Sequence, residues 1–169
     1  PENMIAELLD GELLMQARPA TMHSLAATRL CSRLDANFAP KGGGPGGWIL
    51  LYEPELHLGA DILVPDLAGW RRDRLPALPD APFLSLAPDW VCEILSPSTA
   101  RIDRVKKARI YAREKVPYLW FVDPQTQVLE VRRLQNGHWL EVATFEGEDS
   151  CRPEPFDAID FELGGLWEH

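Results

Sequence analysis

The stretch from Asp89 to Asp123, DWVCEILSPSTARIDRVKKARIYAREKVPYLWFVD, constrains the fold of this chain more than any other. It opens on an apolar run, Asp89 to Leu95, that reads as a buried strand interrupted by one charge, Glu93. A carboxylate is expensive to bury among Trp, Val, Ile and Leu, so its presence there asks for a chemical reason. Ser96-Pro97-Ser98-Thr99 stops the strand and caps a strongly basic helix expected to reach about Lys115. Val116 to Val122 is a further apolar strand. Upstream, Ile62 to Leu67 reads as a strand carrying Asp66 at its end, directly after Pro65.

If the Asp66 and Glu93 strands pair, both acids can reach a common edge. Two carboxylates on neighbouring strands are enough for Mg²⁺, which is held by one or two acids together with waters and substrate phosphate oxygens. Such an ion lowers the pKa of a bound water and offsets charge on a scissile phosphate. A nearby lysine could orient the nucleophile or stabilise the developing negative charge. The plainer reading also stands at this point: Asp66 as a turn former at a strand end, Glu93 as the partner of an arginine.

The rest of the chain supplies a frame for that site. Glu2 to Asp10 is a short amphipathic lead-in ending in the turn signal Asp10-Gly11, and Glu12 to Gln16 looks like a first strand. Pro19 to Phe38 reads as a helix with Thr21 as its cap and His23 in its first turn. KGGGPGG, from Lys41 to Gly47, is a connector. Trp48 to Tyr52, Glu55 to Leu58 and Ile62 to Leu67 look like successive strands of one meander. Four prolines from Arg71 to Pro88 inclusive make that segment a surface excursion. Val128 to Leu134 and Trp139 to Phe145 form a hairpin about Asn136-Gly137. The tail carries Phe161, Leu163, Leu166 and Trp167, an apolar group that reads as an exposed contact for a second copy. The order of elements predicts an α/β or α+β chain: one domain over residues 1–169, with a mixed sheet flanked by two main helices and additional hairpins.

A net charge of −9 argues against a general nucleic-acid binder, but its distribution softens that. Arg101 to Lys115 holds seven basic residues against Asp103 and Glu114, a net of +5 that leaves −14 on the remainder. Arg101, Arg104, Lys106 and Arg109 are therefore the candidate DNA contacts. Three cysteines, odd in number and without metal-ligand spacing, fit reduced thiols in a cytoplasm. No apolar run approaches the length of a membrane span.

Several of these residues together carry a family resemblance. Asp10-Gly11-Glu12 with His23, Val64-Pro65-Asp66, Glu93-Ile94-Leu95-Ser96-Pro97-Ser98-Thr99, then Asp103, Lys107 and Tyr111 at intervals of four, and Tyr118-Leu119-Trp120-Phe121-Val122-Asp123-Pro124 resemble the bacterial "Uma-two" family of restriction-endonuclease-like proteins. The resemblance implies a PD-(D/E)xK nuclease core in which Asp66 and Glu93 hold Mg²⁺ or Mn²⁺, DNA is the substrate, and the chain works as a homodimer. In the superfamily pattern a lysine stands two places after the acid. Here that place is Leu95, and the family usually supplies the lysine from the following helix, which points to Lys107. A helical wheel does not settle the choice: Ile102, Val105, Ala108 and Ala112 define an apolar face from which Lys107 points away, while Ala108 and Tyr111 define another that it borders, and Lys106 remains the runner-up. Glu12 and His23 are candidate supporting residues. The alternative function is a catalytically inactive nuclease-fold module for DNA binding or dimerisation.

Overall fold

The computed structural model describes residues 3–168. Asp10 and Gly11 both take positive φ, 51° and 80°, the pair of angles a two-residue type I′ hairpin turn needs. They fold β1 (Met4–Leu9) back on β2 (Glu12–Ala17), so the lead-in is a strand in its own right. Helix α1 (Thr21–Phe38) follows. Thr21 is its first residue rather than its cap; Ala20 occupies the cap position and offers no side-chain hydrogen bond. Burial at His23, Ala26, Ala27, Leu30, Leu34 and Phe38 gives the helix one inward stripe.

The expected three-strand meander is instead split between two sheets. β3 (Trp48–Tyr52) pairs with β6 (Leu67–Arg71), while β4 (Leu56–Leu58) pairs with β5 (Asp61–Leu63). The run expected as one strand from Ile62 to Leu67 breaks at Val64-Pro65-Asp66. Pro65 has no N–H to give a ladder, so the chain leaves one sheet there and enters the other. β7 (Trp90–Ile94) follows the proline-rich excursion, which touches the small sheet through a bridge from Leu84 to Leu56. A π-helical turn (Ile102–Lys107) and α2 (Ala108–Arg113) lead to β8 (Tyr118–Asp123). β9 (Val128–Gln135) and β10 (His138–Glu146) form the long hairpin, and β11 (Ser150–Cys151) pairs with β12 (Phe161–Glu162) near the end.

The larger sheet runs β10-β9-β8-β7-β6-β3 and the smaller β2-β1-β5-β4. Within the larger sheet β7 and β8 are parallel, which requires a crossover, and the helical segment provides it. Side-chain alternation gives that sheet two apolar faces. Trp90, Cys92, Ile94, Trp120, Val122, Leu129 and Val131 pack under α1 and the C-terminal segment. Val91, Leu119, Phe121, Ala68 and Trp70 pack under α2 and the smaller sheet. Glu93 lies between Cys92 and Ile94, so it points to the second face, toward the helical crossover.

The tail is not the exposed contact the sequence implies. Phe161, Leu163, Leu166 and Trp167 are buried in the first core beneath α1. Phe156 sits among four aromatic rings, with centroids 4.9 Å from Phe38, 4.7 Å from Trp48, 5.0 Å from Trp90 and 5.6 Å from Trp120. Removing it would leave a void that those rigid rings cannot close. Phe156→Ala is expected to destabilise the fold by about 3–5 kcal/mol, read as a lower urea midpoint with an unchanged slope.

Candidate active site

The break at Val64-Pro65-Asp66 brings a loop from the smaller sheet against the end of β7. Asp66 stands at this junction, and its Oδ2 accepts a hydrogen bond from the Ile94 N–H at 2.7 Å. Its Oδ1 lies 3.1 Å from Nε2 of His23, one turn into α1. Glu7, on the inward face of β1, accepts from the Val64 N–H at 2.7 Å through Oε1 and from the Gln16 side chain at 3.0 Å through Oε2. Two carboxylates therefore hold the two ends of the same proline break.

The helical crossover supplies the cation. Between Ile102 and Lys107 the chain is π-helical: the Ala108 N–H reaches back five residues to the Asp103 carbonyl. In an α-helix each step of four residues drifts by about 40° around the axis, which carries residues 103, 107 and 111 away from one line. The wider π turn takes up that drift, and Asp103, Lys107 and Tyr111 are all buried on one side. Val105, assigned to the inward face by a regular wheel, is instead 47% exposed, while Lys107 is 2% exposed.

Lys107 Nζ lies 2.7 Å from Glu93 Oε1, 3.0 Å from Glu7 Oε1 and 3.8 Å from Asp103 Oδ1, with the Val64 carbonyl at 3.4 Å. The Tyr111 hydroxyl donates to Glu93 Oε1 at 2.6 Å. Around this group opens a cavity of about 570 Å³, walled by β2, the start of α1 and the Ser96–Thr99 turn, and lined by Glu7, His23, Asp66, Glu93, Asp103 and Lys107.

Three carboxylates thus share one ammonium, with Asp66 beside them on His23, and the protonation equilibria shift accordingly. Burial pushes the Glu93 carboxyl well above its ordinary range; Lys107 opposes this, while Asp103, Asp66 and Glu7 add to it. Burial likewise raises Asp103 to about 6 against the pull of Lys107. Burial would lower the Lys107 ammonium, but Glu93, Tyr111, Glu7 and Asp103 outweigh it and hold the proton on. For His23 burial also acts downward, and the hydrogen bond and charge of Asp66, with Asp103, carry the net shift above 6.5. Its Nδ1 is buried with no hydrogen-bond partner among the described residues.

Asp66, Glu93, Lys107 and His23 line one cavity, as the sequence reading requires. Glu12 and Lys106 do not: they pair with each other at the surface, and neither lines the cavity. Of the candidate DNA contacts, Arg104 is committed to Glu130 through two hydrogen bonds of 2.8 and 3.0 Å and lies over the Phe121 ring. Arg101 and Arg109 are exposed and have no ion pair among the described residues. Glu7 is hidden in the sequence because the lead-in reads as a short amphipathic segment and not as a strand. Its signal was the one that betrayed Glu93, a lone acid in an apolar run, beside a hairpin turn. Asp103 and Tyr111 were seen only as a spacing.

The donor set suits a hard divalent cation. Among the described residues no three His, Cys, Asp or Glu side chains are arranged as a ready metal cluster. Asp66 and Glu93 both open on the cavity, and oxygen donors of that kind are the ones a hard divalent cation takes.

Two consequences follow for stability. Lys107→Met leaves the buried acids uncompensated and is expected to cost about 3–5 kcal/mol near pH 8. The loss should shrink toward pH 5, where protonation relieves Asp103 and Glu93, as urea unfolding at the two pH values will show. His23 has a raised folded pKa, so its pairing stabilises fully below its unfolded value and fades as pH rises through the folded one. The stability gap between the parent and His23→Gln is therefore expected to be larger at pH 5.5 than at pH 9; an equal gap would mean that no ionised pair forms.

Comparison with known proteins agrees with this architecture. Among curated proteins there is no match. A crystal structure of a "putative nuclease belonging to DUF820" from Anabaena variabilis ATCC 29413 is similar in fold, with a TM-score of 0.81 and 23% identity over 99% of this chain and 91% of that one. Residues 1–164 match the model of the Uma2 family, described as "putative restriction endonuclease". With almost its whole length matched, this chain belongs to the Uma2 family of restriction-endonuclease-like proteins.

Proposed function

We propose that this chain is a divalent-cation-dependent endonuclease that hydrolyses DNA phosphodiester bonds at a PD-(D/E)xK-type site. The observation that carries the reading is the open cavity lined by Glu7, Asp66, Glu93 and Asp103, three of which share the Lys107 ammonium while Asp66 pairs with His23. Such an excess of buried negative charge is costly in an empty protein and useful in one that receives a cation.

In this reading Asp66 and Glu93 hold Mg²⁺ or Mn²⁺, which when bound supplies a water of lowered pKa and positive charge beside the phosphate. The chain's own groups do the positioning. The Ile94 N–H fixes one oxygen of Asp66 and His23 the other, so the carboxylate is oriented before any ion arrives. Tyr111 and Lys107 fix Glu93 in the same way. Lys107, held protonated, is the group that can orient the attacking water and stabilise the extra charge on the phosphate as it forms. Arg101 and Arg109 are the proposed contacts to the DNA backbone; Arg104 and Lys106 are already engaged and contribute positive field more than direct contacts. Free thiols at Cys31, Cys92 and Cys151 fit a reducing cytoplasm. No helix among the described residues is long and apolar enough to cross a membrane. Because one such centre cuts one strand, the reading includes action as a homodimer.

One feature favours the alternative, a nuclease-fold module without activity: Leu95 stands where the superfamily pattern has its lysine. The nearness of Lys107 to Glu93 supports the active reading despite that departure. Asp66→Ala is expected to reduce Mg²⁺-dependent cleavage of plasmid DNA at least about 100-fold. It should also abolish Mg²⁺ binding by calorimetry while leaving the unfolding transition cooperative. Cleavage that survives the substitution, or that proceeds undiminished in excess chelator, overturns the proposal; DNA binding without cleavage in any divalent ion supports the inactive module.

A further inference from the structure

One surface lies outside the chemistry so far. Strand β2 is the free edge of the smaller sheet, whose order is β2-β1-β5-β4. At the opposite edge β4 is covered by the bridge from Leu84, and in the larger sheet the β10 edge is interrupted by a register shift between Glu141 and Ala143. Among the described residues β2 has no such protection. Leu13 is 66% exposed, the highest value among the large apolar side chains, and Met15 is 43% exposed. Cross-strand register sets Met4 opposite Ala17, Ala6 opposite Met15 and Leu8 opposite Leu13, so the outer face of the hairpin carries these six apolar residues and no charge. An open edge beside an apolar face is a template for another strand.

We infer that β2 pairs antiparallel with β2 of a second copy of this chain, about a two-fold axis at Met15. The strand's own sequence, Glu12-Leu13-Leu14-Met15-Gln16-Ala17-Arg18, is complementary to itself in that register. Met15 faces Met15, Leu13 faces Ala17, Leu14 faces Gln16, and exposed Arg18 comes beside exposed Glu12, itself held by Lys106 of its own chain, at both ends. The backbone agrees. With a type I′ turn at Asp10-Gly11, Leu9 and Glu12 close the hairpin as a hydrogen-bonded pair. Hydrogen-bonded and non-bonded pairs then alternate, so Leu13, Met15 and Ala17 turn their N–H and C=O groups outward. A two-fold axis at Met15 sets outward-facing groups of one copy against those of the other along the whole strand. The contact is isologous and closes on itself, which gives a dimer and not a fibre.

This inference names the interface of the homodimer proposed above and rests on that part of the reading, not on nuclease chemistry. Met15 to Arg18 also wall the candidate active site. Joining the two β2 strands puts both inward faces, and so both cavities, on one side of a continuous sheet, where a single duplex could meet them together.

Sedimentation equilibrium on the full chain tests the inference. The parent is expected at twice its 19.0 kDa mass at micromolar concentration, and Met15→Lys, which sets two charges against each other on the axis, at the monomer mass. Glu12→Arg and Arg18→Glu should each weaken the dimer about tenfold or more, and the two changes combined should restore it, a rescue that a register with positions 12 and 18 opposed alone produces. Circular dichroism of each variant checks that the hairpin remains folded. A parent that stays monomeric to about 100 μM, a dimer indifferent to Met15→Lys, or a double variant as weak as the singles overturns the inference. The cleavage and Mg²⁺-binding measurements on Asp66→Ala are independent of every one of these outcomes.

Discussion

The ammonium of Lys107 is the point on which this structure turns. It bonds at once to Glu7 on the smaller sheet, Glu93 on the larger sheet and the Val64 carbonyl at the break between them, and lies near Asp103 on its own helix. Hydrophobic burial holds each sheet against its neighbour but says little about their register, because it is non-directional. A buried charge with three partners on three elements does specify one arrangement. Its geometry must be satisfied, since any acid left without the lysine carries the full cost of its desolvation. The cluster thereby couples the fold to the site: the contact that aligns the two sheets is the contact that would meet a substrate.

Two departures from regular backbone make that cluster reachable. Pro65 interrupts what would be a single strand, and the interruption lets Asp66 turn toward His23 and the Ile94 amide instead of alternating outward. The π turn retains one extra residue per turn, which rotates Lys107 inward and Val105 outward. Neither departure is favoured locally. Each persists because it delivers a charged group to a place that a regular strand or helix could not reach.

Much of this was legible in the residues, and the failures have physical causes. The helices, the β9–β10 hairpin and the β7 strand follow from apolar periodicity and turn residues, which act locally. Asp66 and Glu93 stood out because acids in apolar strands are costly wherever the strand lies. Lys107 could not be chosen over Lys106 by a wheel of fixed pitch, because the change of pitch is itself the answer and depends on Glu93 and Glu7, far away in sequence. Glu7 stayed hidden for a related reason: a six-residue strand of mixed polarity has almost no identity until the rest of the sheet pairs with it. The tail was misread in the opposite direction. Its aromatic and aliphatic residues do mark a contact, but that contact is with α1 and the aromatic ring around Phe156, within the same chain.

The same distinction between charge in a sequence and charge at a surface governs how DNA would be met. Arg101 to Lys115 carries a net +5 in sequence, yet most of those groups are already engaged. Arg104 is bound to Glu130, Lys106 to Glu12 and Lys107 to the cluster, while Arg113 reaches Asp10, Asp61 and Glu114. These pairs fasten the crossover helix to both sheets, and what faces solvent along it without an ion pair among the described residues is Arg101, Arg109 and Lys115. With a net charge of −9 the chain has little non-specific attraction for a polyanion on its own. Under the proposed function, affinity would come from the site and from presenting two copies of it together. That requirement gives an exposed, self-complementary strand beside the cavity a functional reason to stay uncovered in the single chain, despite the risk that an open edge carries.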